Sequence, residues 1–144
     1  MKVAEGARLK LLLVEDSPAD VYLVQEVMRA EGLAIDIVIA DDGESAIQIL
    51  DRMDGSGQEL LNVLLLDLNI PRKNGNCVLE RLRKSPLCGG IPVVMMSSSD
   101  SPKDRQRAFD LGVTEYFRKP STLDEFRQLG KLVRRLCHEP AVVA

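Results

Sequence analysis

Short apolar runs alternate with longer amphipathic stretches along the whole chain. The apolar runs lie at residues 11–14, 35–40, 63–66 and 93–96, with a weaker one at 116–117. Runs of this length, rich in Leu, Ile and Val, are typical of parallel β-strands that are covered on both faces. The pattern therefore predicts five buried strands.

The stretches between these runs repeat apolar residues with the period of an α-helix. Each stretch places its apolar side chains on one face: Val21, Val24, Val27 and Met28; Ala46, Ile47, Leu50 and Met53; and Phe126, Leu129, Val133 and Leu136. A helix therefore follows each strand, and right-handed crossovers then close the sheet.

Capping signals mark where these helices begin and end. Ser17 and Ser101 each precede a proline, with an acid, Asp20 or Asp104, three residues further on. Thr122 and Glu125 repeat the pattern without proline, and Gly112 indicates a helix end. Residues 54–59 contain Gly-Ser-Gly and predict a mobile loop.

The five strand–helix units predict an α/β doubly wound fold with a parallel sheet. We expect one domain over residues 1–144, with its core at about 9–137 and no output domain, because 144 residues suit one ordinary core. The chain is 45% apolar and 28% charged, which indicates a globular protein.

Charge and cysteine content narrow the possible functions. The net charge of −3 gives no sign of nucleic-acid binding, although residues 103–135 hold nine Lys/Arg and five Asp/Glu. That basic surface suits a solvated face or a protein partner. The three cysteines lack metal or redox spacing, which predicts reduced thiols in the cytoplasm. No signal peptide or membrane span is expected.

Polar residues gather where the predicted strands end. Glu15 and Asp16 follow the first strand, and Asp67, Ser97 and Lys119 follow the third, fourth and fifth. In open α/β sheets, ligands bind outside the carboxyl ends of the strands, where the strand order reverses. We therefore expect these five side chains to converge on one site.

Three crowded carboxylates favour a hard cation, because like charges repel and raise one another's pKa values. All-oxygen ligands in a shallow site suit Mg²⁺, for which Mn²⁺ can substitute. The alternative is that Glu15 and Asp16 stabilise the dipole of the helix that follows them. That role would leave Asp67 unexplained. Asp67 could then act as an oxygen nucleophile for a phosphoryl group, with Ser97 and Lys119 stabilising its charge.

These residues carry a family resemblance. The chain resembles the receiver domain of two-component response regulators across essentially its whole length, through four motifs: Leu12-Leu-Val-Glu-Asp16, Asp67 with Pro71 and Gly75, Val93-Val-Met-Met-Ser97 and Tyr116-Phe-Arg-Lys119-Pro120. The resemblance implies a flavodoxin-like (βα)5 fold with a five-stranded sheet in 2-1-3-4-5 order. It also implies a signalling protein, rather than an enzyme, that assists its own phosphorylation and dephosphorylation.

The resemblance assigns a role to each site residue. Asp67 matches the phosphoacceptor, and Ser97 and Lys119 match the hydroxyl and lysine beside it. Asp16 and Asp67 match direct Mg²⁺ ligands, Glu15 a ligand through water, and Asn69 a ligand through its backbone carbonyl. Ser97 and Tyr116 match the switch pair, whose inward movement on phosphorylation remodels the fourth helix face. The bond before Pro120 is expected to be cis.

Two departures from the family pattern are small. Ile70 replaces the more common methionine before Pro71, and Ser97 replaces the commoner threonine. Ser99 and Asn69 occupy positions that tune phosphate lifetime in relatives. Neither the isoleucine at position 70 nor the serine at position 97 threatens the chemistry.

A narrower resemblance concerns the partners. The segment from Asp67 to Gly75 and the long loop before the third strand look like the small regulators of bacterial phytochrome kinases. This implies a phytochrome-type sensor histidine kinase as phosphoryl donor, a downstream protein of unknown identity, and a homodimer through the fourth helix, fifth strand and fifth helix. A monomer remains the alternative, and Phe117 on that face also suits the core.

Three other functions stay open at this point. A flavodoxin-like module would bind a nucleotide or flavin phosphate, but the acidic loop from Glu15 to Asp20 repels phosphate. A small-molecule phosphatase would need a general acid where Asn69 stands. A pseudo-receiver would bind a protein partner without chemistry. His138 stands in a terminal Cys-His-Glu-Pro tail with no helix face around it, so we do not expect it to be a phosphorelay group. Lys131, Arg134 and Arg135 suit the solvated face of an amphipathic helix.

Overall fold

A computed structural model describes residues 2–57, 60–70, 72 and 74–139. Five strands alternate with helices in chain order. The strands are β1 (Leu9–Val14), β2 (Ile35–Ala40), β3 (Val63–Asp67), β4 (Val93–Ser97) and β5 (Glu115–Arg118). The helices are α1 (Pro18–Ala30), α2 (Gly43–Ser56), α3 (Gly75–Arg83), α4 (Pro102–Asp110), α5 (Leu123–Phe126) and α6 (Gln128–Cys137).

The strands form one parallel sheet in the order β2-β1-β3-β4-β5, which confirms the predicted topology. Alternate residues of the central strands point to opposite faces of the sheet. Leu12, Leu64 and Met95 belong to a core shared with α2 and α3, whereas Leu11, Leu65 and Val94 belong to a core shared with α1 and α6. The central strands are apolar throughout because both faces are covered.

The edge strands are less buried than the sequence pattern predicts. In β2 only Ala40 is fully buried, and Ile39 is 41% exposed. In β5 Tyr116 is buried, while the half-buried Phe117 packs edge to face on Phe126 with ring centroids 5.7 Å apart. An edge strand lacks a neighbour on one side, so its side chains retain solvent contact.

The predicted helix starts are confirmed at all three capping residues. The hydroxyls of Ser17, Ser101 and Thr122 accept the backbone N–H three residues on. Gly112 has a φ of +90° just after α4, a left-handed conformation that suits glycine at a helix end.

One local prediction is wrong, and the final helix differs from its prediction in one detail. Residues 54–56 continue α2 rather than opening a loop, and the helix ends at Gly57 with a φ of +66°. Gln58 and Glu59, the rest of the predicted loop, lie outside the described residues, as does Pro71. The final helix is divided into α5 and α6 at Arg127. The Arg127 carbonyl accepts the N–H of Gly130, three residues further on.

Gly130 brings α6 close to α1. A Cβ atom at position 130 would lie 2.8 Å from the Val27 carbonyl oxygen, closer than real Cβ contacts. Glycine is therefore required for this approach, which brings Arg134 Nε within 2.9 Å of Glu31 on the same side. Arg135 likewise forms an ion pair with Glu115 at 3.2 Å. Two residues of the predicted solvated face, Arg134 and Arg135, therefore form ion pairs within the chain.

The two ends of the described chain also pack together. Val3 pairs with His138 in a parallel bridge, and His138 is 5% exposed with its Nε2 atom 3.2 Å from the Ala7 carbonyl oxygen. His138 is thus packed, unlike the terminal tail expected there, and the packed region extends beyond the predicted core limits of 9 and 137. Cys77, Cys88 and Cys137 are all free thiols. None of the helices in the described part of the chain combines the length and apolar character needed to cross a membrane.

Candidate functional site

The carboxyl edge of the sheet brings together the predicted site residues. Glu15 follows β1 directly, Asp67 ends β3, and Ser97 ends β4. Lys119 follows β5, and its backbone N–H donates to the Ser97 carbonyl at 2.7 Å, which fixes where the lysine side chain leaves the sheet. Since the strands are parallel, their ends lie side by side at one edge.

The Lys119 ammonium lies among three carboxylates. Its Nζ atom is 2.7 Å from Asp20 Oδ2, 2.9 Å from Asp67 Oδ2 and 3.0 Å from Glu15 Oε2. The Glu15 side chain is 1% exposed, the Asp67 side chain 8% and the Lys119 side chain 13%. Buried charges need charged or hydrogen-bonding partners. Here the Lys119 ammonium is the charged partner of both buried acids, Glu15 and Asp67.

Burial and mutual contact separate the pKa values of the two buried acids. Burial, together with a hydrogen bond shared with Asp67, raises the pKa of Glu15 to about 7. Burial also opposes ionisation of Asp67, but hydrogen bonds from Glu15, Lys119 and the Asn69 N–H outweigh it and lower the Asp67 pKa. Asp67 therefore keeps its negative charge more readily than Glu15, and negative charge is what a nucleophile needs.

The Lys119 ammonium is held in its charged form. Burial lowers the pKa of Lys119, but the carboxylates of Asp20, Asp67 and Glu15 together raise it well above its usual value. A permanently charged ammonium beside Asp67 can stabilise negative charge that develops on a transferred group.

Three acids form a candidate metal site. One carboxylate oxygen from each of Glu15, Asp16 and Asp67 lies within 4.8 Å of the others. Asp16 is exposed, whereas Glu15 and Asp67 are buried, so the cluster opens to solvent on one side. An all-oxygen donor set with room for water fits Mg²⁺ or Mn²⁺. Asn69, the fourth predicted ligand, lies beside the cluster and donates its backbone N–H to Asp67 Oδ1 at 2.9 Å.

The predicted switch residues are connected through Ser99. The Ser97 hydroxyl accepts the Ser99 N–H at 3.0 Å, and the Tyr116 hydroxyl donates to the Ser99 carbonyl at 2.7 Å. Tyr116 is 7% exposed, and the Arg105 guanidinium lies 4.9 Å from its ring centroid. The Tyr116 ring is thus directed inward.

One expectation about this site is wrong. The peptide bond between Lys119 and Pro120 is trans, not cis. The trans form is the intrinsically preferred one, and Lys119 reaches Asp67, Glu15 and Asp20 with it.

Sequence reasoning assigned Asp20 only a capping role and missed its contact with Lys119. Asp20 lies in the first turn of α1, which begins just after the carboxyl end of β1 and therefore at the edge where the site forms. That position at the start of the first helix was the signal available in the sequence. The second capping acid, Asp104, likewise accepts from the Ser99 hydroxyl at 2.7 Å.

Comparison with known proteins gives a consistent result. The family model described as response regulator receiver domain matches residues 11–131. The response regulator Rcp1 of Synechocystis sp. is 35% identical over 125 residues, which cover 86% of this chain and 83% of that protein.

Two solved structures are similar to the fold. That of the phosphorylated cyanobacterial phytochrome response regulator RcpA has a TM-score of 0.77 at 33% identity, covering 90% of this chain and 93% of that one. That of the Mn²⁺-bound form of Rcp1 has a TM-score of 0.77 at 31% identity, covering 94% of this chain and 99% of that one. With the sheet order and the acidic edge described above, these matches show that the chain belongs to the response regulator receiver domain family.

Proposed function

We propose that this receiver domain accepts a phosphoryl group on Asp67 from the phosphohistidine of a sensor histidine kinase. The observation that carries this proposal is the contact of the buried Asp67 carboxylate with the Lys119 ammonium at 2.9 Å, next to two further acids, Glu15 and Asp16. An Asp67 oxygen forms a bond to phosphorus, the phosphorus–nitrogen bond breaks, and the histidine ring leaves with its electron pair and takes up a proton.

The chain's own side chains would position the incoming group. Lys119 would bind one phosphoryl oxygen, and the Ser97 hydroxyl would donate to another after releasing the Ser99 N–H. Asp16, Asp67, the Asn69 carbonyl and, through water, Glu15 would hold Mg²⁺ or Mn²⁺, which would neutralise further charge on the phosphoryl group. The manganese in the Rcp1 structure supports this assignment.

The output would pass through the surface formed by α4, β5 and the α5–α6 segment. When Ser97 turns toward the phosphoryl group, its bond to the Ser99 N–H breaks. Ser99 also anchors Tyr116 through its carbonyl and Asp104 of α4 through its hydroxyl, so its displacement would shift the α4 face. A downstream protein or a second copy of the chain would recognise that change.

We infer further that the donor kinase is of the phytochrome type. Support comes from RcpA, named as a cyanobacterial phytochrome response regulator, at 33% identity over 90% of this chain. We also propose that residues 1–144 act as a single receiver unit that pairs with a second copy through α4, β5 and α5–α6. A pseudo-receiver that only binds a protein is the weaker alternative, because the acids, hydroxyl and lysine are all in place.

The test is phosphorylation by acetyl phosphate with Mg²⁺, followed by the mass of the intact protein. We expect a gain of one phosphoryl group in wild type and none in Asp67→Asn or in the presence of EDTA. A gain that survives Asp67→Asn, or no gain at all, would contradict the proposal.

The choice of kinase is tested separately by transfer from a set of purified histidine kinases that includes a phytochrome kinase. The fastest transfer should come from the phytochrome kinase. Preferential transfer from another kinase would remove the phytochrome assignment and leave the phosphoacceptor role intact.

A further inference from the structure

Asp20 lies in the first turn of α1, and its carboxylate reaches across the site to Lys119. The distance of 2.7 Å between Asp20 Oδ2 and Lys119 Nζ is shorter than those to Asp67 and Glu15. An ammonium group has three hydrogens to donate, and here each has a carboxylate acceptor. Asp20 therefore completes the set of partners of Lys119.

The Asp20 carboxylate is not used to cap α1. In a capping box, an acid at this position accepts the backbone N–H of the capping residue, here Ser17. The Ser17 N–H instead donates to Glu15 Oε1 at 3.0 Å. The bond in the other direction, from the Asp20 backbone N–H to the Ser17 hydroxyl, is available to any residue type at position 20. The contact with Lys119 is the one that depends on the acidic side chain.

Asp20 also stands outside the cluster of metal-binding acids. That cluster consists of Glu15, Asp16 and Asp67, so it includes two of the three carboxylates that hold Lys119. A divalent cation there would draw those two carboxylates toward itself and repel the ammonium, since charges a few ångströms apart interact strongly in a poorly solvated site. Asp20 is the partner that remains with Lys119.

We propose that Asp20 is a positioning residue for phosphoryl transfer, which retains the Lys119 ammonium beside Asp67 when the cation and the phosphoryl group engage the other carboxylates. This inference rests on the proposed function. It assigns the acid at the start of α1 to the reaction rather than to the stability of the helix.

The experiment compares initial rates of phosphorylation by acetyl phosphate at saturating Mg²⁺, followed by intact mass. Asp20→Asn keeps the size of the side chain and removes its charge, and we expect a rate about tenfold lower, from the loss of one charge-assisted hydrogen bond to Lys119. Asp20→Glu should recover most of the rate. Glu44→Gln, which removes an exposed acid from the first turn of α2, is the matched control and should keep the wild-type rate.

A double variant tests whether Asp20 acts through the lysine. Lys119→Met alone should lower the rate, and adding Asp20→Asn should lower it no further. Equal rates for Asp20→Asn and Glu44→Gln would overturn the inference, and so would a full tenfold loss that persists in the Lys119→Met background. If wild type gains no phosphoryl mass, the proposed function fails and this inference fails with it.

Discussion

Lys119→Met removes the only cation that contacts both buried acids among the described ion pairs of the site. Methionine is unbranched like lysine and only one atom shorter, but it carries no charge. Removing one partner of a buried ion pair costs about 3–5 kcal/mol, because the other charge stays buried without compensation. We take the lower end, a loss of about 3 kcal/mol in the free energy of unfolding at pH 8, because Glu15 can limit the cost by binding a proton.

The loss should depend on pH with a definite sign. The pKa of Glu15 in the folded protein is already raised to about 7, above its value of 4.5 in an unfolded chain, and removing the lysine raises it further. A group of this kind contributes stability that is fully present below the unfolded pKa and is lost as the pH rises through the folded pKa. Lys119→Met should therefore be less destabilising at pH 6 than at pH 8.

Magnesium should compensate for the missing ammonium. In Lys119→Met the cation no longer competes with an ammonium for Glu15 and Asp67, so it should bind more tightly than in wild type. A cation at 100 times its dissociation constant adds about 2.7 kcal/mol to the stability of the folded state. Adding Mg²⁺ should thus stabilise the variant more than it stabilises wild type.

The assay is urea unfolding followed by far-UV circular dichroism, in EDTA and in Mg²⁺, at pH 6 and pH 8. Lys131→Met, at an exposed position of α6, is the matched control, and we expect it to change stability by less than about 0.5 kcal/mol. The reasoning is refuted if Lys119→Met and Lys131→Met are equally stable in EDTA at pH 8.

Three further predictions concern packing and titration. Tyr116→Phe removes the hydrogen bond to the Ser99 carbonyl and should cost about 1 kcal/mol in urea unfolding; an unchanged midpoint would contradict the inward position of the ring. Gly130→Ala places a Cβ atom 2.8 Å from the Val27 carbonyl and should cost about 1–3 kcal/mol; a neutral result would mean that α1 and α6 are not this close. Burial raises the pKa of the Cys137 thiol to about 11, above its unfolded value, so stability should fall as the pH rises above 9, by at most about 1.4 kcal/mol at pH 10. Cys137→Ala should lack this part of the alkaline slope, and an identical slope would refute the assignment.

The sheet and its acidic edge follow from the sequence because both depend on local patterns. Apolar runs such as 63–66 are buried on both faces, and the residue that ends such a run, here Asp67, must lie at the carboxyl edge. Parallel strand ends then bring Glu15, Asp67, Ser97 and Lys119 together without knowledge of any distance.

Features that depend on distant contacts could not be predicted in this way. The Asp20 carboxylate has two plausible partners, its own helix start and Lys119, and only the folded geometry decides between them. The division between α5 and α6 accompanies the close approach of Gly130 to Val27, which no local signal encodes. The inward Tyr116 ring likewise depends on Ser99, which lies 17 residues earlier in the chain.

The most direct test of the account is a crystal structure of the wild-type protein grown with Mn²⁺, with data collected at the manganese absorption edge. The account predicts one anomalous difference peak among the carboxylates of Glu15, Asp16 and Asp67, and no such peak in crystals of Asp67→Asn. Crystals that contain Mn²⁺ but show no peak at this cluster, or carboxylates that point away from one another, would contradict it.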